Sequence, residues 1–558
     1  MARLYPWTVE PGEKLRLALD FLGRPVAPET ILRAGYVAGA AVSLPIGVSA
    51  LLAPGEFQLG LTLAALALAL LVTHAVHEVP KLWATAKRTS ALGDAPDLVA
   101  RAVLRMRLSP TPERAAAFSA RTGDGVLATS LGKHVRQSRH TPAAALVSFG
   151  DSWADLFPSL RRALALVSAA GSAPEQDRDR LLDRALAVVM DGTRDEMQSF
   201  GARVRTPATA LYAFGVLLPT ALVALLPAGG AVGVAVTPLS VILLYNILLP
   251  AALVGAAMWL LARRPVAFPP PAVTSEHPEI PDRRLLVLGV AITGGAIGAG
   301  VTSFLVPAWG PPITAVGIGV GLGLWLQYMP VVDLYDRISA VEQSLPDALT
   351  LIGRHVADGR AVETAIAQTG DELDSEIGVV LRDGVRRQKQ LQVDVEEAFL
   401  GQHGALERVP SPRVRDSIAF ISLAAKEGRP AGTALLSLAD HVEELQSIEQ
   451  EARHSLAHVC QTLQTTGMVF APMVAGATVS LAEGIGGEAF SAEGGQSLTW
   501  LGGPVGVYVL VLAVFLTSLS VGLTRGFDRA LVSFRAGKAL ICATVTYLGS
   551  YLLVGLIL

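Results

Sequence analysis

The sequence has little charge and almost no cysteine for its length. Of its 558 residues, 17% are Asp, Glu, Lys or Arg and 51% are hydrophobic, whereas soluble domains carry about 25% charged residues. This composition excludes a disordered, collagen-like or coiled-coil chain and argues against a purely soluble protein. The two cysteines, Cys460 and Cys542, are too few for a disulfide framework.

A strong net charge and an apolar leader are also missing. The formal net charge is −3, so global charge does not point to nucleic acid as a partner. Residues 1–20 are charged and lack an apolar core segment. We therefore expect no nucleic-acid binding, and we expect that these residues are not a cleavable signal peptide.

Long apolar runs are the main feature that is present. A membrane-spanning helix needs about 20 apolar residues, and nine stretches without Asp, Glu, Lys or Arg are candidates. They are 34–53, 57–76, 207–227, 234–261, 285–306, 313–329, 465–481, 505–523 and 540–558. Four contain a proline, which a helix in lipid tolerates when neighbours satisfy its backbone. The sequence predicts an all-α polytopic membrane protein with about nine transmembrane helices.

Basic residues lie only in alternate segments of this layout. If the N-terminus is inside, the inner segments are 1–33, 77–206, 262–284, 330–464 and 524–539. These segments contain all 45 Lys and Arg residues, and the outer loops contain none. Because short cytoplasmic loops retain basic residues, we predict a multi-pass protein of the plasma membrane with a cytoplasmic N-terminus and an outside C-terminus.

The topology divides the chain into six parts. They are a cytoplasmic N-terminal segment 1–33, a transmembrane pair 34–76, a first cytoplasmic helical domain 77–206, four transmembrane helices in 207–329 with the short basic loop 262–284, a second cytoplasmic helical domain 330–464, and three transmembrane helices in 465–558. In both long inner segments apolar residues recur at three- and four-residue spacing. This spacing predicts two helical bundles in tandem, and no sustained alternation predicts strands.

The two predicted domains match each other at an offset of 250 residues. Asp97 aligns with Asp347 and Glu113 with Glu363, and each domain is followed by a pair of spans. A tandem duplication explains this order. The alternative is chance similarity between two helical stretches that are rich in Ala and Leu.

Two stretches of the second domain carry a family resemblance. Residues 345–366, LPDALTLIGRHVADGRAVETAI, have a Leu-Pro-x-x-Leu helix, a glycine turn and a second helix that begins with small residues. Residues 425–439, AKEGRPAGTALLSLA, have a glycine turn before a Leu-rich helix. Both resemble the helical hairpins of the type II secretion system F family. The first domain departs from the pattern, because residues 107–112, RLSPTP, replace the glycine turn.

The resemblance implies a function. The nine-span layout resembles the archaeal pilus and archaellum members of the family. Members are non-enzymatic platform proteins of the inner or plasma membrane, which couple a cytoplasmic secretion ATPase to the insertion or extraction of pilin subunits in type IV pilus-like filaments or type II secretion. The implied partners are therefore that ATPase, pilin-like subunits and the lipid bilayer, and the implied assembly is a homodimer.

A nucleotide site is not predicted in this chain. Gly125 lies seven positions before Gly132-Lys133, and His134 stands where a phosphate loop has Ser or Thr. A phosphate loop has about five positions between its glycines. The glycines of 317–323 lie inside an apolar stretch and are typical of close helix packing. The ATPase must therefore be a separate chain.

Metal binding and catalysis are weakly indicated. His454 and His458 are one helical turn apart with Cys460 nearby, but zinc sites use three or four ligands. No G-x-S-x-G or H-E-x-x-H motif is present. We predict no catalytic residue, no cofactor and no metal site.

A membrane transporter or permease component is the alternative function. Nine spans and an internal repeat would suit a carrier. Ionisable groups inside spans mark ion and proton pathways, however, and the nine stretches contain no acidic or basic residue. Two large cytoplasmic domains are also unusual for carriers, so we favour the platform function.

The two predicted domains differ in charge. Residues 77–206 carry a net charge of +5, and residues 330–464 carry −9. Opposite signs favour docking of the domains on each other or on charged partners. Two ordinary solvated surfaces are the alternative.

Charged groups of the second domain are the predicted partner-binding residues. Some lie at the tips of the two hairpins, where a soluble ATPase could reach them. Others form a basic cluster that could meet an acidic ATPase rim or anionic lipid. The six residues are Arg360, Arg382, Arg386, Arg387, Glu427 and Arg429. Solvated turns and helix faces are the alternative.

Overall fold

The structure is a computed structural model. It describes residues 9–23, 26–52, 54–123, 125–137, 143–231, 237–264, 277, 280–281, 283–427, 431–490 and 499–557. Every regular element in these ranges is a helix, so the prediction of an all-α chain is confirmed for them.

Within the ranges that the structure describes, the first half of the chain forms twelve α-helices. They are α1 (Glu13–Leu22), α2 (Pro28–Leu52), α3 (Gly55–Gly93), α4 (Ala95–Leu108), α5 (Pro112–Thr122), α6 (Gly125–Gln137), α7 (Ala143–Ser152), α8 (Pro158–Ala170), α9 (Glu175–Tyr212), α10 (Leu218–Ala231), α11 (Pro238–Ile242) and α12 (Leu249–Leu261). Two short π-helical segments, Ala213–Leu217 and Leu243–Leu248, connect α9 to α10 and α11 to α12.

The second half contains eleven more. They are α13 (Arg284–Leu305), α14 (Gly310–Gln343), α15 (Leu345–Ala357), α16 (Val362–Glu372), α17 (Glu376–Leu391), α18 (Val395–Leu400), α19 (Pro412–Glu427), α20 (Ala431–Thr465), α21 (Ala471–Phe490), α22 (Gly502–Arg525) and α23 (Arg529–Ile557). A third π-helical segment, Thr466–Phe470, connects α20 to α21.

Nine helical stretches in the described ranges are long and apolar enough to cross a bilayer, which confirms the predicted number. They lie in α2, α3, α9–α10, α11–α12, α13, α14, α20–α21, α22 and α23. Several helices extend well beyond the apolar run. For example, α14 continues to Gln343, whereas its apolar run ends at residue 329. The chain therefore leaves the apolar layer as continuous helix.

Each of the three π-helical segments ends two residues before a proline. The prolines are Pro219, Pro250 and Pro472. A helical proline cannot donate to the carbonyl four residues earlier, and its ring clashes with that carbonyl. In all three cases this carbonyl lies inside the π-helical segment, where the wider backbone accommodates the ring.

The same order of helices occurs twice along the chain. The hairpin α4–α5 begins at residues 95 and 112, and α15–α16 begins at 345 and 362, an offset of 250 in both cases. An apolar pair of helices precedes each hairpin. A long helix, α9 or α20, follows each set and passes through a π-helical segment into an apolar helix.

The turn of the first hairpin forms without glycine. Ser109 is extended, with φ −148°, and Pro112 begins the next helix. In the second hairpin, Gly359 has φ +90°, a conformation that is strained for other residues. The positive φ of Gly359 confirms the predicted glycine turn at 358–360. In the first hairpin, the extended Ser109 followed by Pro112 takes the place of a glycine turn.

Candidate functional site between the two helical regions

Two groups of helices outside the apolar stretches each have a buried core. The first helical region, α4–α9, packs around residues that include Leu98, Phe149 and Leu164. The second helical region, α15–α20, packs around residues that include Ile366 and Phe399. The regions also contact each other, and the surface where they meet is the candidate functional site.

The long helices α9 and α20 form the centre of this contact. Arg194 lies 3.5 Å from a carboxylate oxygen of Glu444 and 3.3 Å from one of Glu451. One turn further along α9, Gln198 donates a 2.8 Å hydrogen bond to Glu451. A Cβ atom added at residue 201 would lie 3.4 Å from Cβ of Ser455. The residue numbers of the contacting pairs increase in the same direction along both helices, so α9 and α20 run parallel.

Charge complementarity contributes to the contact. Arg101 of α4 donates a 2.6 Å hydrogen bond to the carboxylate of Asp416 on α19. In this ion pair and in those of Arg194, the first helical region supplies the cation and the second supplies the carboxylate. This favours the interpretation that the opposite net charges promote docking of the two regions on each other.

A cleft of about 450 Å³ lies beside these ion pairs. Its walls are mainly apolar and include Leu104, Phe118 and Phe420. His441 is 7% exposed in this cleft, and neither of its ring nitrogens has a hydrogen-bond partner. Its Nε2 atom is 3.9 Å from Oδ1 of Asp97, which is beyond hydrogen-bond length. The cleft therefore contains a buried imidazole without a hydrogen bond, and the carboxylate of Asp97 lies at ion-pair distance from it.

Arg413 connects the second helical region to a helix that enters the apolar layer. Its Nη2 atom donates a 2.8 Å hydrogen bond to Glu449 of α20, and its Nη1 atom is 3.6 Å from Glu342 of α14. Burial lowers the pKa of Arg413, but the carboxylates of Glu449 and Glu342 outweigh burial and raise this pKa above its ordinary value. Ser411 also donates a 2.5 Å hydrogen bond to Glu342. This network fixes α14 against α19 and α20.

Arg360, one of the predicted partner-binding residues, is exposed in the turn between α15 and α16. Its guanidinium donates a hydrogen bond to Gln368 of α16. Glu427 is the last residue of α19. Arg429 lies outside the described residues, and so does the turn it belongs to.

The other predicted cluster lies on α17. Arg382 donates to the carbonyl oxygens of Gly370 and Leu373, which end α16.

Arg386 and Arg387 both pair with Asp383, at 2.9 Å in the case of Arg387, which also donates to the carbonyl of His403. The structure thus brings these three arginines onto one helix, each with an intramolecular partner. No hydrogen bond or ion pair in the described ranges joins them to Arg360.

Cys460, which was considered as a metal ligand beside His454 and His458, has another contact. Cys460 is buried, and its thiol contacts the carbonyl of Ser520 at 3.6 Å. Within the part of the chain that the structure describes, no three His, Cys, Asp or Glu residues come close enough to hold a metal ion.

Sequence reasoning missed His441 and Arg413. A single histidine in a Leu-rich helix and a single arginine beside a proline give no motif. Only the packing of α4 against α20, for His441, and of α14 and α20 against α19, for Arg413, shows that they face other charged groups.

Comparisons with protein-family models, with curated protein sequences and with solved structures find no match to this chain.

Proposed function

We propose that this protein is a non-enzymatic membrane platform that couples a cytoplasmic secretion ATPase to the movement of pilin-like subunits during assembly of type IV pilus-like filaments or in type II secretion. The observation that carries the proposal is the direct contact of α9 with α20. Both helices continue through a π-helical segment into an apolar helix. A force applied to either helical region would therefore reach the bilayer along continuous helices.

The resemblance of residues 345–366 and 425–439 to the hairpins of the type II secretion system F family supports the same function. Gly359 adopts the left-handed conformation that such a turn needs.

We infer that both helical regions are cytoplasmic. Because they touch, they must lie on the same side of the membrane, and four of the nine apolar stretches lie between them. An even number of spans returns the chain to the same side. The restriction of all 45 basic residues to alternate segments assigns that side to the cytoplasm.

We infer further that the two halves arose by tandem duplication. The repeated helix order and the 250-residue offset of the hairpins support this. In a two-fold pair of identical subunits, equivalent helices meet each other. Arg194 and Glu444 are 250 residues apart and contact each other, so the halves of one chain meet as equivalent subunits would.

The second helical region is the proposed coupling surface for the ATPase. Arg360 stands exposed at the tip of the α15–α16 hairpin, Glu427 ends α19, and the predicted turn with Arg429 lies outside the described residues. Arg382, Arg386 and Arg387 have internal partners, so a bound partner would compete with those contacts. The hairpin tips are therefore the first candidates.

Charge reversal at the hairpin tips tests the proposal. The variant Arg360→Glu/Glu427→Arg/Arg429→Glu should lose filament assembly and co-purification with the secretion ATPase while its membrane level stays unchanged. The matched control is Arg121→Glu, an exposed arginine in the last turn of α5 in the first helical region. Normal assembly by the triple variant, or equal loss in the control, would place the coupling surface elsewhere.

A further inference from the structure

Four arginines converge where the apolar helices α12, α20, α22 and α23 meet the helical regions. We call them the arginine cluster: Arg264, Arg453, Arg525 and Arg535. The charge of Arg453 acts on Arg264 and on Arg525, and the charge of Arg525 acts on Arg535. The cluster therefore concentrates positive charge at one place on the membrane boundary.

Arg264 is held in a fixed position. Its Nε atom donates a 2.9 Å hydrogen bond to the carbonyl of Leu523, and its Nη2 atom donates a 3.2 Å bond to the carbonyl of Thr524. These carbonyls end α22 and would otherwise lack donors. Burial is the main cause that lowers the pKa of Arg264 to about 10, with the charge of Arg453 adding to it and Glu449 opposing it.

Arg525 and Arg535 differ from Arg264 because they have no partner. Both are half-buried, and neither makes an ion pair or a hydrogen bond with any residue that the structure describes. A partly buried guanidinium without an anion is unfavourable, since it has lost water without gaining an acceptor. Binding of an anion from outside the chain would therefore stabilise both side chains.

The acidic groups near the cluster are occupied elsewhere. Glu449 pairs with Arg413 and Arg453. Asp528 accepts 2.8 Å hydrogen bonds from the hydroxyl of Tyr335 and from a backbone N–H at the start of α23.

Asp336 is the remaining carboxylate that faces Arg525 and Arg535. It is exposed and acts on both at a distance, without an ion pair to any described residue. One solvated carboxylate does not neutralise two guanidinium groups.

A cleft gives access to the cluster. It has a volume of about 150 Å³ and is lined by Arg264, Arg453 and Arg525 of the cluster, but not by Arg535. Its walls also contain carboxylates that pair with other residues, among them Glu342 and Asp416. A cavity needs about 10–15 Å³ to hold one water molecule. A phosphate group and its hydration waters therefore have room beside the guanidinium groups.

Basic residues beside the cluster lie over tryptophan rings. Arg263 lies 3.6 Å over the ring of Trp259 at the end of α12, and Lys538 lies 5.8 Å over the ring of Trp325. Tryptophan is enriched at the membrane–water interface of membrane proteins, which supports a position of the cluster near lipid headgroups.

We propose that the arginine cluster binds a phosphate-bearing anion, the phosphodiester of an anionic lipid headgroup. Guanidinium groups bind phosphate oxygens through paired, charge-assisted hydrogen bonds, and Arg525 and Arg535 have these donors free. The proposal needs only that the apolar helices cross a bilayer, so it stands apart from the proposed platform function. A free phosphate ion shares the chemistry and is separated from lipid by the test.

Thermal unfolding of the purified full-length protein in detergent tests the proposal. The probes are phosphatidylglycerol, phosphatidylcholine and inorganic phosphate, each titrated separately. Phosphatidylglycerol should raise the unfolding midpoint at low ionic strength, phosphatidylcholine should not, and added salt should weaken the effect. In Arg525→Gln/Arg535→Gln the apparent affinity for phosphatidylglycerol should fall about tenfold or more.

The control Arg529→Gln removes an exposed arginine from the start of α23 and should keep the wild-type affinity. If the glutamine variant does not fold, Arg525→Lys/Arg535→Lys carries the test, because lysine keeps the charge but loses the paired donors. An equal response to inorganic phosphate would support the site and assign it to free phosphate. Equal affinity in wild type and the double variant, or equal loss in the control, would overturn the proposal.

Discussion

Single residues at the contact between the helical regions should contribute measurably to the free energy of unfolding. Arg413 is the clearest case, because its carboxylate partners Glu342 and Glu449 are mostly buried, with side chains 20% and 14% exposed. Arg413→Met would remove the ion-pair partner of Glu342 and leave Glu449 with Arg453 alone, and the free energy of unfolding should fall by about 2–4 kcal/mol. Unfolding of the purified protein in detergent measures this.

The control for Arg413 is Arg415→Met, an exposed residue two positions away, which should change stability by less than about 0.5 kcal/mol. Adding Glu342→Gln and Glu449→Gln to Arg413→Met should recover part of the loss, because neither carboxylate remains. A full loss that persists in the triple variant would show that Arg413 acts through packing rather than charge.

Substitution of His441, in contrast, should not destabilise the protein. Its ring is buried and neither nitrogen makes a hydrogen bond, although the carboxylate of Asp97 lies 3.9 Å from Nε2. A buried polar group without a hydrogen bond costs free energy. His441→Leu should therefore leave the unfolding midpoint unchanged or raise it. Phe420→Ala, in the same cleft, should lower stability by about 3 kcal/mol. A large destabilisation by His441→Leu would mean that the imidazole has a partner in the folded protein.

The sequence could not reveal these roles. It does predict the exposed turn at Arg360, because a glycine turn between two amphipathic helices is a local pattern. The partners of Arg413 and His441 depend on residues 36 to 344 positions away in the chain. Such contacts are set by tertiary packing and leave no local signal.

Among the helical elements, Pro219 is accommodated by a local change of the backbone and by a tyrosine donor. The carbonyl of Gly215, four residues before Pro219, accepts a hydrogen bond from the hydroxyl of Tyr508. Tyr245 in turn donates a 2.6 Å hydrogen bond to the carbonyl of Pro219. The sequence predicted that neighbours would satisfy the freed backbone, but the π-helical segments and the donors came from the structure.

A double-mutant cycle on Tyr508 and Pro219 tests this account. Tyr508→Phe should lower the free energy of unfolding by about 1 kcal/mol, because it leaves a buried carbonyl without a donor. In a Pro219→Ala background, residue 219 regains a backbone N–H that can donate a hydrogen bond to the carbonyl of Gly215. Tyr508→Phe should therefore lower the free energy of unfolding by less in this background. Equal costs in both backgrounds would show that the tyrosine does not replace the missing N–H.

The parallel packing of α9 against α20 makes a geometric prediction. A Cβ atom at residue 201 would lie 3.4 Å from Cβ of Ser455, close to the roughly 3.5–4.5 Å of disulfides. Gly201→Cys/Ser455→Cys, with Cys460 and Cys542 replaced by Ala, should form a disulfide on mild oxidation. A protease site inserted within 265–276 lets a non-reducing gel show whether the two halves stay linked.

The control Ser199→Cys/Ser455→Cys places the first cysteine about 200° around α9 and should leave the halves separable after cleavage. Cross-linking in the control but not in the Gly201→Cys pair would contradict the register of α9 and α20.

At the scale of the whole molecule, composition and charge placement predict more than motifs do. The nine apolar runs were visible in the sequence because each is long and uncharged, and the structure contains nine suitable helices in its described ranges. The boundaries were less accurate, because α14 and α20 continue as helix far beyond their apolar runs. Charged residues end an apolar run but do not end a helix, so hydropathy alone cannot locate the helix ends.

The proposed function requires that the two contacting helical regions lie together on the cytoplasmic side. Cysteine labelling in intact cells tests it most directly, with Cys460 and Cys542 replaced and single cysteines introduced as Asp155→Cys, Asp374→Cys or Ser491→Cys. Asp155 and Asp374 are exposed in the first and second helical regions, and Ser491 lies in the predicted outer loop. An impermeant maleimide should label only Ser491→Cys before lysis and all three after it. Labelling of Asp155→Cys or Asp374→Cys in intact cells would contradict the account.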